Sequence, residues 1–487
     1  MAIQIQMKSK ALIIKLLLLS GRCLAWDVYP NDPLQSQSST IAAPEPCRTH
    51  ELPAKLDLLT AVDMSLCHDP QTREAWANIK LQQAELGQAR AAYLPKLEGN
   101  VQWVRDHNVV STPDIPALST ANRDGYRSDS ASLSWLLYDF GARSARHQAA
   151  EAGLRAALAS QQTVHAQIFA AIVRDFYALA AAQATLIATT ENERNATNSL
   201  KAASAKVNGG IVAISDQLQA ETALSQSVIN RIKAEQQLAI MQGNLALDMG
   251  LPADSHPTVT ELAPSDPVKK DLDRNISELL ARAQKDNPEL IAARENLAAA
   301  QAKADQTAAE GRPSIALTLR ATHNNQPESL GVGMPTTSAN SQQRYAGIQV
   351  TLPLFDGFER TYRIRASAAE IERQQAILDG TSQKTDRTVW KNYQDVQSGI
   401  SNLTQASRLL QTAEQAFAAS SKRYQVGAAD VQELMNVQSN LASARQQRIQ
   451  AMSDLLTARY QLAQSIGHLI DTASTVSEIS GFRQPGG

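Results

Sequence analysis

The stretch Trp135-Leu-Leu-Tyr-Asp-Phe-Gly141 returns, at an offset of 217, as Leu352-Pro-Leu-Phe-Asp-Gly-Phe358. The match extends in both directions. Gly210-Ile-Val-Ala-Ile-Ser-Asp216 recurs at the same offset as Gly427-Ala-Ala-Asp-Val-Gln-Glu433. On the other side, Asp69-Pro70 precedes Pro95 by the same interval as Asn287-Pro288 precedes Pro313, at an offset of 218. Three landmarks in one order at a nearly constant spacing mark an internal duplication. The chain reads as two copies of one unit, 56–250 and 274–468, joined by a Pro/Ser/Asp-rich linker over 251–273.

Each copy has the same internal order. A helix comes first, about 57–92 and 274–310, and its proline ends it. Two short strand-like segments follow, then a very long helical region. No proline occurs between Pro116 and Pro252 or between Pro353 and Pro485, and good helix formers fill both stretches. In the second copy Val389, Val396, Leu403, Leu410, Phe417 and Tyr424 are each seven apart. In the first, Leu154, Leu158, Ile168, Ile172, Leu179 and Leu186 fall on two positions of one heptad frame. Such a narrow apolar seam fits coiled-coil packing, and a helix over about 142–207 is on the order of 100 Å long.

The segments between the helices alternate. Ile315, Leu317, Leu319 and Ala321 interleave with Ala316, Thr318, Arg320 and Thr322; Ile348, Val350, Leu352 and Leu354 interleave with Gln349, Thr351 and Pro353. In the first copy Leu97, Gly99, Val101 and Trp103 alternate with Glu98, Asn100 and Gln102, and Ala131, Leu133, Trp135 and Leu137 with serines and Leu136. Each run is about ten residues, the length of a tilted strand crossing a bilayer. Half-buried strands of a soluble sheet look similar. Four strands cannot close around a lumen, and an open edge in lipid leaves backbone groups unsatisfied, so either the strands are not in a membrane or several chains share one barrel. Polar connections over about 105–125 and 323–344 join each strand pair.

Composition narrows the classes. Of 487 residues only 5% are aromatic, thin for several compact cores, and the net charge of −2 gives no basic excess for nucleic acid. No P-loop, nucleophile elbow or metal-spaced histidines occur, so no catalytic, cofactor or metal site is expected. Beyond the N-terminus no apolar run of about 18 residues is present, which argues against a bundle of membrane helices. At the N-terminus, Lys8, Lys10 and Lys15 surround a short apolar stretch, and Cys23 and Ala25 stand at −3 and −1 of a cut after Ala25. Residues 1–25 read as a secretory signal peptide, 26–55 as a Pro/Ser-rich extension and 469–487 as a tail. Export would place Cys47 and Cys67, 20 apart, in an oxidising space; a disulfide closing that loop contributes about 3 kcal/mol, the alternative being two free thiols.

The duplicated unit, with Leu94-Pro95, Tyr138-Asp139 and Leu354-Phe355-Asp356-Gly357, resembles the TolC family of outer-membrane export channels over nearly the whole mature chain. The resemblance implies an α+β membrane protein: a homotrimer sharing one twelve-stranded β-barrel, continued by a long α-helical coiled-coil tunnel in the periplasm. Resistance-type members carry Arg-Arg-Pro-Asp where this chain reads His68-Asp69-Pro70 and Asp286-Asn287-Pro288, and no lipidation signal is present. The chain is therefore more similar to the type I secretion branch, and Leu66-Cys-His-Asp-Pro-Gln-Thr-Arg73 resembles exporters of repeat toxins such as cyclolysin. Drug or small-molecule efflux is the alternative.

By the same resemblance, Gly427 through Asn436 matches the turn at the tunnel tip. Glu433 falls where the family has an acidic aperture residue; the second acidic place is Asn436, and Asp430, one turn away, is the candidate replacement. Tyr424 and Asp216 match a gate link, a phenol donating to a carboxylate. The arginine of a second link corresponds to Ala429, although its partner place keeps a hydroxyl in Ser215. Expected partners are an adaptor protein touching the turns at Gly210 and Gly427, an inner-membrane ABC or proton-driven pump, and outer-membrane lipid. Bland readings stand beside these: Glu433 as a solvated helix residue and Tyr424 as core packing. Two rival classes are a periplasmic adaptor, which has one helical hairpin instead of two equal copies, and a scaffolding coiled coil.

Overall fold

The computed structural model describes Leu34 and residues 52–261, 275–329, 331, 334 and 336–467. The expected signal peptide, Cys47 and the tail 469–487 lie outside the described residues. Cys67 is disulfide-bonded.

In chain order the described elements are helices α1 (Leu58–His68) and α2 (Pro70–Ala91), strands β1 (Lys96–Val110) and β2 (Thr120–Tyr138), helices α3 (Ala142–Asn208) and α4 (Ile214–Asp248), helices α5 (Ile276–Asp286) and α6 (Pro288–Ala309), strands β3 (Ser314–Asn324), β4 (Glu328–Ser329), β5 (Thr336–Thr337) and β6 (Ser341–Thr351), and helices α7 (Glu359–Gln425) and α8 (Val431–Ser465). The two copies are equivalent almost residue for residue: α3 and α7 have 67 residues each, α4 and α8 35 each. Within the described residues the chain forms two compact units that cut across the repeats, one around Leu81–Glu151 and Ala302–Ser367, the other around Ala152–Gln301 and Ala368–Gly487.

The first helix of each copy is broken where one continuous helix was expected. A residue before proline is pushed out of the helical region, and Asp69 and Asn287 adopt ψ of 128° and 122°. Both then cap the next helix: Asp69 Oδ1 accepts from Gln71 N at 2.7 Å, and Asn287 Oδ1 from Glu289 N at 2.9 Å. Each proline occupies the first helical position, where a missing N–H costs nothing.

One unit is built on a four-stranded antiparallel sheet in the order β1-β2-β3-β6. Register sorts its faces. Leu97, Leu133, Leu319 and Ala346 form one cross-strand row; Trp135, Leu317 and Ile348 form the next. On the opposite face run Glu98, Ser132, Arg320 and Tyr345, then Asn100, Ser130, Thr322 and Gln343. These apolar rows are uncovered in the single chain, with Leu97 75% and Ile348 70% exposed. Farther along the same face Ala321 pairs with Arg344 and Asp129 with His323, so the apolar rows form a band at one end of the sheet. The first hairpin reaches further than expected, its pairing continuing from Arg105↔Gly125 to Val110↔Thr120. In the second copy β6 stops at Thr351, so Leu352 and Leu354 lie beyond the strand.

The repeated Asp-Phe-Gly and Asp-Gly-Phe are the corners from strand to long helix. Phe140 and Gly141, and Gly357 and Phe358, all have positive φ. Asp139 accepts from Arg143 N at 2.8 Å, and Asp356 from Arg360 N at 3.2 Å, capping α3 and α7. Each arginine also returns to a carbonyl at the end of the preceding strand segment, Arg143 to Leu136 and Arg360 to Pro353.

In the helical unit burial itself repeats. Ile172, Leu179 and Leu245 in the first copy, and Val389, Val396 and Leu462 at the same positions of the second, are all at most 2% exposed. Each such side chain contributes roughly 1.5–3 kcal/mol. Ala61 of α1 joins the first cluster and Leu279 of α5 the second. One 18-residue window of α3 has a mean hydropathy of 1.3, enough by composition to cross a membrane, and 39% of it is buried. That average is reached without an uninterrupted apolar run, in keeping with the sequence: alanine raises it, and Arg174 and Asp175 interrupt the large side chains.

Gly467 closes the second copy's last helix at φ 81°, and a Cβ there would stand 2.5 Å from the Asp286 carbonyl oxygen. Gly427 has nearly the same φ but open space around it. Both alanine substitutions incur the left-handed cost of about 1–2 kcal/mol, and only Gly467→Ala adds a backbone clash. Heating the detergent-solubilised protein while following its helical circular dichroism is expected to show a larger drop in Tm for Gly467→Ala than for Gly427→Ala. Equal drops would contradict the packing of α5 against the end of α8.

Candidate functional site at the helical turns

α3 and α4 are joined by residues 209–213, and α7 and α8 by 426–430. Both turns use one device. Gly210 N donates to Val207 O and Ile211 N to Lys206 O, both at 2.9 Å; Gly427 N donates to Tyr424 O at 3.1 Å and Ala428 N to Arg423 O at 2.8 Å. This double bond pattern needs a left-handed residue, supplied by Gly210 at φ 73° and Gly427 at φ 82°. The turns present apolar side chains to solvent: Ile211 is 72% and Val426 80% exposed.

The two turns differ in how they use charge. Asp430 is the N-cap of α8, its Oδ1 accepting from Glu433 N at 2.7 Å. Glu433 Oε1 accepts from Arg423 Nη1 at 2.8 Å, and Arg423 Nη2 donates to Ala428 O at 3.0 Å. Both candidate aperture carboxylates therefore already have partners inside the chain. An exposed pair of this kind stabilises little, about 0–1 kcal/mol, but it compensates the charge expected of a carboxylate ring.

At the matching place of the first copy the basic residue is Lys206. It does not bridge its own turn. Its Nζ donates to the main-chain carbonyl of Tyr424 and stands 3.9 Å from the centroid of the Tyr424 ring. Tyr424 is 2% exposed and packs with Val431 and Leu434, beside Ala202, Phe417 and Ala429. Burial, and secondarily the Asp216 carboxylate, push its phenol above the ordinary value.

The expected phenol-to-carboxylate link is not made in this structure. The Tyr424 hydroxyl is buried without a hydrogen-bond partner among the described residues, and Asp216 Oδ1 instead accepts from the Ser215 hydroxyl at 3.3 Å. The heptad reading of Tyr424 as the end of an apolar seam agrees with its packing. Lys206 and Arg423 were missed as site residues, although superposing the two copies in the sequence places a basic residue four positions before each turn glycine.

The family model described as outer membrane efflux protein matches residues 61–251 and 279–468. Protein CyaE of Bordetella pertussis is 31% identical over 460 residues, 92% of this chain and 93% of that protein. Proteases secretion protein PrtF of Dickeya chrysanthemi is 24% identical, covering 75% of this chain and 78% of that one. Among solved structures, the outer membrane protein VceC of Vibrio cholerae shares the fold with a TM-score of 0.71 at 19% identity, over 84% of this chain and 96% of VceC.

Capping and ring charge make different demands on residue 430. Asparagine caps as well as aspartate, whereas alanine loses about 1 kcal/mol. Amide exchange at Glu433 and Leu434 is expected to quicken several-fold in Asp430→Ala and to stay close to wild type in Asp430→Asn. Equal quickening in both variants would mean that the charge, and not the cap, is what matters there.

Proposed function

The chain belongs to the outer membrane efflux protein family, and on that footing we propose that it is the outer-membrane channel of a type I secretion machine, a passive conduit for protein. It is an outer-membrane protein of a family of channels and transporters. The observation that carries the conduit reading is the sheet: four strands, two edges unpaired among the described residues, and an apolar band of rows on one face opposite polar rows on the other. In lipid those edges must be paired. Three copies supply twelve strands, with Leu97, Leu133, Leu319 and Ala346 towards lipid and the row of Glu98, Ser132 and Arg320 towards the lumen. The long helices would form the periplasmic tunnel of the same homotrimer. The repeat boundaries 56–250 and 274–468 and a Cys47–Cys67 disulfide are part of this proposal.

Secretion is preferred to small-molecule efflux on two grounds. Leu66 to Arg73 resembles the toxin-exporting subgroup, and one of the relatives is named a proteases secretion protein. Energy would come from an inner-membrane ABC or proton-driven pump joined through an adaptor. The exposed apolar turns at Gly210 and Gly427, with Ile211 and Val426 beside them, suit adaptor contact. The adaptor opens the conduit only through contacts that favour the open state.

Planar-bilayer recording on the purified protein tests the conduit. Small, stable conductance steps are expected, and a folded protein that never conducts would refute the reading. Glu433, proposed to line the aperture, is compensated by Arg423. Arg423→Gln is therefore expected to strengthen block by millimolar divalent cations at the periplasmic side several-fold, and Glu433→Gln to weaken it. Insensitivity of block to both substitutions would remove Glu433 from the aperture.

A further inference from the structure

We infer that Lys206 holds the conduit shut by clasping the two turns together through the ring face and main-chain carbonyl of Tyr424. This rests on the channel reading above. The observations are geometric. Lys206 belongs to the last turn of α3 and Tyr424 to the last turn of α7, far apart in the sequence. The ammonium meets two complementary surfaces at once. One is the electron-rich face of the phenol, 3.9 Å from its centroid. The other is a carbonyl at the C-terminal, partially negative end of α7, where a cation is favoured.

Broken symmetry sharpens the assignment. The duplication would let each copy close its own turn with its own basic residue, as Arg423 does with Glu433 and Ala428. Lys206 instead abandons the equivalent Asp216 and crosses to the other copy. Arg423 thus stabilises one turn, while Lys206 joins two. A motion that separates the turn of the second copy from that of the first would break the Lys206 contact. It need not break any bond of the Tyr424 hydroxyl, which is buried without a partner among the described residues. Lys206 is thus a positioning residue: it acts on the passage through Tyr424, without touching cargo.

The clasp and the phenol-to-carboxylate link predict different rankings of variants. The full-length mature protein would be recorded in planar bilayers as wild type, Lys206→Met, Lys206→Arg, Tyr424→Phe and Tyr424→Leu. Loss of one partly desolvated cation–ring contact is expected to raise the open-to-closed odds about tenfold. Lys206→Met and Tyr424→Leu should both reach this level. Lys206→Arg should restore the wild-type odds, because arginine keeps the charge, the donor and the affinity for the ring. Tyr424→Phe, which keeps ring and carbonyl, should move the odds far less than Lys206→Met. The inference is overturned if Lys206→Met leaves the odds unchanged, or if Tyr424→Phe raises them as much. A second readout does not need conduction. Amide exchange at Gly427 and Ala428 in detergent should quicken about tenfold in Lys206→Met and not in Lys206→Arg. Absence of conductance in the wild type would refute the conduit; unchanged exchange in Lys206→Met would refute the clasp.

Discussion

Strands β1 and β6 each carry a row of backbone groups with no neighbouring strand among the described residues. In water such an edge invites aggregation; in lipid it is untenable, because nothing else can satisfy the N–H and C=O groups. The sheet also leaves exposed an apolar band on one face and polar rows on the other, and no second layer among the described residues supplies a core for it. A soluble sheet would bury the face that holds Leu97, Leu319 and Ile348. The proposed assembly answers both demands together: copies of the same sheet pair the edges, lipid covers one face and a lumen solvates the other.

The helical unit meets a different requirement. Its buried positions repeat from Ile172 to Val389 and from Leu245 to Leu462, and the first copy thickens its seam with Ile168, Phe169, Val173, Phe176 and Tyr177. Such seams specify register along a helix more than they specify a fixed tip. At the turns the two copies diverge. Arg423 folds back on Glu433, whereas Lys206 reaches Tyr424. Duplication therefore supplies the common scaffold, and a few charged side chains at one end distinguish the copies in a way that can serve gating.

Much of this was legible in the sequence. The offset of 217 gave the element order, and α3 ends one residue from its expected limit, because proline-free stretches of strong helix formers leave little ambiguity. Alternation indicates the two sheet faces, and the register bears it out for the rows of Leu133 and Trp135; a shift between Leu136 and Tyr138 then takes Leu137 out of its expected row. The break at Asp69 and Asn287 was available in principle, since proline constrains the residue before it; the expectation ran the helix through it because periodicity continues on both sides. The charge state of the turn was less accessible. Arg423 and Glu433 face each other across a turn, and Lys206 meets Tyr424 only through tertiary packing. No local pattern announces either contact. The phenol-to-carboxylate expectation rests on resemblance alone, and the packing of Tyr424 leaves its hydroxyl without a partner among the described residues.

Pairing between β1 of one copy and β6 of the next is the claim on which the rest stands. Its most direct measurement is cysteine cross-linking of the two edges. Asn100→Cys on β1 would be combined in turn with cysteines at Tyr345, Gln343 and Ser341 on β6, and the outer-membrane protein oxidised and separated in denaturing detergent. The account predicts that at least one combination yields covalent species ending at a closed trimer. Chains that remain monomeric in every combination, or that form a ladder with no upper limit, would contradict a shared barrel.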